Sequence, residues 1–286
     1  MIAKVRSLKG RIARKPLKAY FIFSYVFFWL FLLLFLILQS KLKLDMNSLP
    51  VWFTSLITIL GSWTPTLASV VVILSTEGGA GVKKLFSKFT RFRIPARWYI
   101  AALIPFGLAI IAAVIYRFIR RISPPAYSLS ISFWIGLTIR NLLEGPTGEE
   151  PGWRGFALQR LLTRHNPSKA SLILGVVWDF WHLPLWFVSG YTGKDLLLYC
   201  TLFSISIISL SVLMTWIFCH TAKSLIPMVL IHFSFNASLI LAGPGGMGQV
   251  PALTLWTFLA VLYLLTAIVV VLASGLRKSP AFMMAQ

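Results

Sequence analysis

The 286-residue chain is 58% hydrophobic and only 12% charged, with 27 Lys+Arg against 7 Asp+Glu. Soluble domains carry about 25% charged residues, so water alone does not solvate this surface. The cations sit in short clusters between long uncharged runs, which excludes a nucleic-acid partner and points to an integral membrane protein.

The chain opens with a basic arm, residues 1–19, expected to be cytoplasmic. Tyr20 to Ser40 then runs 21 residues without a charge. A signal-peptide core is about 7 to 15 residues long, so this run reads as a retained first span. Further spans are expected near 51–74, 98–119, 170–188, 195–219, 224–242 and 252–275, each close to the ~20 residues that cross hydrocarbon. An eighth lies within 127–162. One straight helix there would be about 54 Å long, so a break is expected near Gly145-Pro146, with a tilted, interfacial or re-entrant piece over 127–144. The reading is all-α: about eight transmembrane helices over 20–275 enclosing a polar cavity, in one domain with a motif core at 145–240, then a short cytoplasmic tail at 276–286.

Between the second and third spans, Gly81 to Arg97 interleaves Val82, Leu85, Phe86, Phe89 and Phe92 with six cations. This is the pattern of a helix in an anionic headgroup layer, and equally of ordinary positive-inside charge. Twenty cations fall on the side of the basic arm and six on the other, with Arg140 unassigned. The richer side is read as cytoplasmic, with both termini on it, in the cell membrane. Cys200 and Cys219 lie 19 positions apart in one run, about 28 Å as helix, too far to bridge.

Ionisable groups inside spans cost roughly 2.5–3.5 kcal/mol each, so those present here are informative. Three constellations hold them. In Glu149-Glu150-Pro151-Gly152-Trp153-Arg154, Glu150 and Arg154 are helical i,i+4 partners, leaving Glu149 as a carboxylate without a local cation, suited to general-base work. A helix N-terminus with acids ahead of Pro151 explains the same residues structurally. In Trp178-Asp179-Phe180-Trp181-His182-Leu183-Pro184, His182 shares a helix face with Trp178 and Asp179, and Asp179 either tunes the imidazole or pairs elsewhere. A buried His satisfied by a carbonyl that Pro184 frees is the plain alternative. In His232-Phe233-Ser234-Phe235-Asn236, His232 and Asn236 share one face, which suits oxyanion stabilisation or an interhelical clamp. At 1.5 Å per residue, His182 lies about 18 Å from Ala170 and His232 about 12 Å from Ser224; for Glu149 to meet them its helix must continue to about Leu162, which places the carboxylate about 20 Å deep.

In this order the constellations resemble the signature of the CPBP family of intramembrane proteases (CAAX proteases and the abortive-infection family): Glu149-Glu150 with Arg154, Trp178 with His182, and His232 with Asn236. The resemblance covers roughly 145–240 and implies an eight-helix protease with a conical cavity opening to the cytosol. It implies that Glu149 and His182 activate water, that Glu150 and Arg154 hold the site, and that His232 and Asn236 stabilise the oxyanion. Trp178 stands where Phe is more usual, and Asp179 where a small or apolar residue is expected. The resemblance also implies a protein or peptide substrate, with a prenylated C-terminal Cys as one form, met among membrane lipids. No cofactor is required on this reading; zinc held by Glu149, His182 and His232 is its alternative. A proton-coupled transporter and a non-catalytic immunity or scaffold protein are the competing functions.

Overall fold

The computed structural model describes residues 9–45, 48–123, 130–242 and 252–277, and among these every regular element is helical. The chain is an all-α polytopic membrane protein. Five helices are long and apolar enough to cross a bilayer: Pro16–Leu42, Val51–Thr76, Ala96–Arg120, Gly193–His220 and Leu253–Ala273. The second bends at Trp63, just before Pro65, and the third at Ala102–Leu103, just before Pro105; proline removes a ladder donor at each place.

The other expected spans are shorter. Pro167–Trp181 has 15 residues and Ile226–Ala242 has 17, below the ~20 needed to cross alone, so length by itself does not support eight crossings. The first of these stops short of the expected residue 188 because its geometry tightens at His182. There the backbone N–H bonds Asp179 and Phe180 carbonyls, and a separate turn, Leu183–Trp186, carries Pro184. The chain breaks at Gly145, as the length argument requires. Ile131–Leu143 lies on one side and Pro146–Glu150 on the other, while residues 127–129 of the outer piece are outside the described set.

The packing is that of a protein solvated by lipid. Leu33, Leu34, Val269 and Leu272 present more than half their surface outward, whereas Ser24, Ser69, Ser206, Ser211 and Thr215 are buried. Each of these hydroxyls donates to a backbone carbonyl; Ser211 does so across to Ser171. Without water, that is how a buried polar group avoids its desolvation cost.

The basic clusters converge at one end of the bundle. Arg160 pairs with Glu77 at 2.6 Å, Arg91 donates to the Ala222 carbonyl, and Ser168 N–H donates to Leu276 O at 3.1 Å. Lys88, buried in the loop at this end, donates to Gly155 O at 2.6 Å and its own carbonyl accepts from Leu225 N–H. Burial and then the neighbouring cations, Arg91 foremost, lower its pKa to about 8. Lys4, Arg6 and Lys278, counted with this side, are outside the described residues.

Candidate functional site

Glu149 and Glu150 end the short helix that starts at Pro146. The chain then widens into a π-helix, Pro151–Leu158, before one more α turn to Leu162. Pro151 has no N–H for an i→i−4 bond, which loosens the turn, and π segments recur at functional sites. The whole segment is buried against Thr64–Thr76, and close approach is allowed by missing side chains. A Cβ on Gly152 would lie 2.6 Å from the Pro65 carbonyl, and one on Gly148 would lie 2.5 Å from the Trp63 ring.

The two adjacent carboxylates have different environments. Glu150 is fully buried; its Oε1 accepts from Arg154 Nη1 at 3.0 Å and from His232 Nδ1 at 2.7 Å. Glu149 meets no cation within ion-pair distance among the described residues. Its Oε2 accepts from Trp178 Nε1 at 2.8 Å and Trp153 Nε1 at 3.3 Å. Two neutral donors fix the carboxylate without an ion pair. Trp153 was missed in the sequence, although its i+4 spacing from Glu149 was a usable signal.

Trp178 ties the constellations together. Besides its bond to Glu149, its ring lies under the Arg154 guanidinium at 4.2 Å, edge-to-face with His232 at 5.3 Å, and 5.7 Å from the His182 ring. His182 is also walled by Trp181 and Phe203. Because the His182 backbone N–H bonds Asp179 rather than Trp178, the Trp178 carbonyl is free to accept from His182 Nδ1 at 2.8 Å. That bond puts the proton on Nδ1 and leaves the Nε2 lone pair for chemistry. Asp179 pairs elsewhere: its Oδ2 accepts from Ser204 at 2.7 Å, so Trp178 O, not Asp179, orients the imidazole.

Gly145 marks where the remaining groups converge. The position its Cβ would occupy is 3.1 Å from Asn236 Nδ2 and 3.6 Å from both Glu149 Oε1 and His232 Nε2. A carboxylate oxygen, an amide N–H and an imidazole nitrogen therefore gather on the side of Gly145 that carries no side chain. Beside it, a cavity of about 590 Å³ is lined by Asn236, Arg140, Asn141, Glu144, Leu137 and Thr58. Arg140, unassigned by the charge count, is held by Glu144 at 2.7 Å on this wall. Asn236 stands ten residues, about 15 Å, inside Ile226 at the basic end, and the cavity extends onward past Leu239 and Ile240. The resemblance-based expectation of a cytosolic opening and the charge-based expectation of a cytoplasmic basic end are therefore not both met by this cavity.

Glu149, His182 and His232 do not form a group that could hold a metal ion, and no other three His, Cys, Asp or Glu do so among the described residues. The Nδ1 of each His is committed to a protein acceptor.

Residues 131–238, which include all eight candidate residues, match the family model described as type II CAAX prenyl endopeptidase, Rce1-like. The CAAX prenyl protease 2 of Methanococcus maripaludis is 35% identical over 99 residues, 33% of this chain and 36% of that protein, so the match spans about a third of the relative's length. The three motifs stand in order and their side chains gather around Trp178 and Gly145, and over residues 131–238 the chain is similar to the Rce1-like type II CAAX prenyl endopeptidases.

Proposed function

We propose that this protein is an intramembrane endopeptidase that hydrolyses a peptide bond with a water activated by Glu149 and His182. The observation that carries this reading is the convergence of Glu149 Oε1, Asn236 Nδ2 and His232 Nε2 on the point beside Gly145. Glu149 takes a proton from water as its oxygen attacks the scissile carbonyl carbon. His182, with its proton held on Nδ1, accepts a hydrogen bond from that water at Nε2. The carbonyl oxygen becomes an oxyanion that Asn236 stabilises from Nδ2, joined by His232 from Nε2 in its imidazolium form with Glu150 as counter-ion. Collapse breaks the C–N bond, and Glu149 passes its proton to the leaving amine.

The relative's name supports a substrate class of protein or peptide ends with a prenylated CAAX sequence, which the chain would occupy from the cavity beside Asn236. The basic end is taken as cytoplasmic in the cell membrane, with that cavity reached from the opposite half of the bilayer.

The test is cleavage of a fluorescence-quenched farnesyl-cysteine peptide by purified protein in proteoliposomes. His182→Ala is expected to lose activity by about 10²-fold or more while inserting normally. Wild-type-like turnover in that variant sinks the mechanism, and substrate-driven proton flux without cleavage returns the transporter.

Gly145→Ala probes the convergence point from the other direction. Its methyl group would press on Asn236 Nδ2, Glu149 Oε1 and His232 Nε2 and shift their aim, so kcat is expected to fall about 10²-fold with little change in KM. Melting in detergent should stay within a few degrees of wild type, because the one tight new contact, 3.1 Å, falls on the terminal amide of Asn236, which can give by a few tenths of an ångström. An alanine variant with normal kcat would show that the point is not where chemistry occurs.

A further inference from the structure

At the basic end, a cavity of about 540 Å³ is lined by Arg14, Lys15, Lys18, Arg160 and Arg164, with no acidic residue in its lining. Arg160 is paired with Glu77; the other four meet no carboxylate within ion-pair distance among the described residues. The floor of this cavity is Phe21 and Ile22. The same two residues begin an apolar groove of about 630 Å³ that continues along Tyr25, Val26, Trp29, Leu30 and Leu33. Tyr25 and Trp29 are pinned by hydrogen bonds to the Val177 and Trp181 carbonyls of the neighbouring helix, so the groove wall is fixed. From Phe21 to Leu33 the helix rises about 18 Å, close to half of the ~30 Å hydrocarbon core.

A cationic cup continuous with a shallow, open apolar helix face one leaflet deep has the polarity of a single lipid. We infer that this surface is a specific site for one anionic phospholipid, its phosphate held by Lys15, Lys18 and Arg164 and one chain lying against Val26 and Leu30. Neither half alone explains the whole. Positive-inside charge accounts for scattered cations, not for five around one cavity whose lining holds no carboxylate. The site is separate from the Glu149 cluster and does not depend on the protease reading.

Full-length protein in dodecyl maltoside is titrated with dioleoyl phosphatidylglycerol or dioleoyl phosphatidylcholine, and bound lipid is counted by native mass spectrometry. One phosphatidylglycerol per chain should be retained saturably, at least tenfold more tightly than phosphatidylcholine, and more weakly in high salt. The triple variant Lys15→Gln/Lys18→Gln/Arg164→Gln should weaken it about a hundredfold, since each cation near a headgroup contributes about a fivefold factor. Val26→Trp fills the groove from its lipid-exposed face, where folding is not at stake, and should also release the lipid. Equal retention of phosphatidylcholine, tight binding by either variant, or displacement by millimolar inorganic phosphate overturns the assignment. Displacement by an uncharged farnesyl ester would make the groove a prenyl site and overturns it as well.

Discussion

Glu149→Gln is expected to lower kcat for peptide cleavage by about 10³-fold while leaving KM and the melting temperature nearly unchanged. Glutamine keeps the volume and one oxygen, so the donors Trp178 Nε1 and Trp153 Nε1 retain an acceptor and the buried surroundings need not move. What it removes is the ability of the other oxygen, facing Asn236 Nδ2 and His232 Nε2 across the point beside Gly145, to take a proton. Glu149 is suited to that work because its neighbour absorbs the local positive charge: Arg154 and His232 both bind Glu150. A carboxylate fixed by indoles keeps its orientation without an ion pair that would weaken it as a base. Initial rates on the farnesyl-cysteine peptide, with thermal unfolding in parallel, decide the matter. A glutamine variant retaining more than a tenth of wild-type kcat would remove Glu149 from the base role.

The path from sequence to site was uneven, for identifiable reasons. Spacing rules are local, so the Glu150–Arg154 pair at i,i+4 and the break at Gly145-Pro146 could be read directly: a helix has one pitch and proline one missing donor. The apolar runs gave the five long helices to within a few residues. The helix in the 170–188 run ends early where the backbone tightens at His182, ahead of Pro184, and a count of apolar residues does not see that turn. The His182 ring then takes the Trp178 carbonyl. The π-helix was also hidden, since its wider turn depends on packing against Thr64–Thr76 as much as on Pro151. Trp178 appeared in the sequence as a substitute for Phe. In three dimensions its indole N–H reaches a carboxylate 29 residues away, a bond that phenylalanine cannot make. Gly145 was legible as a helix break, but its place beside Glu149, Asn236 and His232 carried no signal, because its contribution there is an absent side chain.

Arg154→Met should cost about 3–5 kcal/mol of stability, the largest effect on folding expected from any single change in the site. Arg154 and Glu150 are both wholly inaccessible, and removing the cation leaves a buried carboxylate with only His232 beside it. The guanidinium also lies 4.2 Å over the Trp178 ring, so a lysine, lacking the planar stack, should restore only part of the loss. The double variant Glu150→Leu/Arg154→Met separates the two roles of the pair. With both charges gone and volume preserved, resistance to thermal and dodecyl-sulfate unfolding should return to within about 1–2 kcal/mol of wild type, because desolvation offsets much of the attraction in a buried ion pair. Cleavage should not return with it. His232 would have lost the acceptor that holds its Nδ1, and Nε2 would no longer be aimed at the point it shares with Asn236. A double variant that is both stable and active would mean that the pair serves neither purpose. One that remains as unstable as Arg154→Met would mean that packing around Trp178, rather than the buried charge, sets the cost.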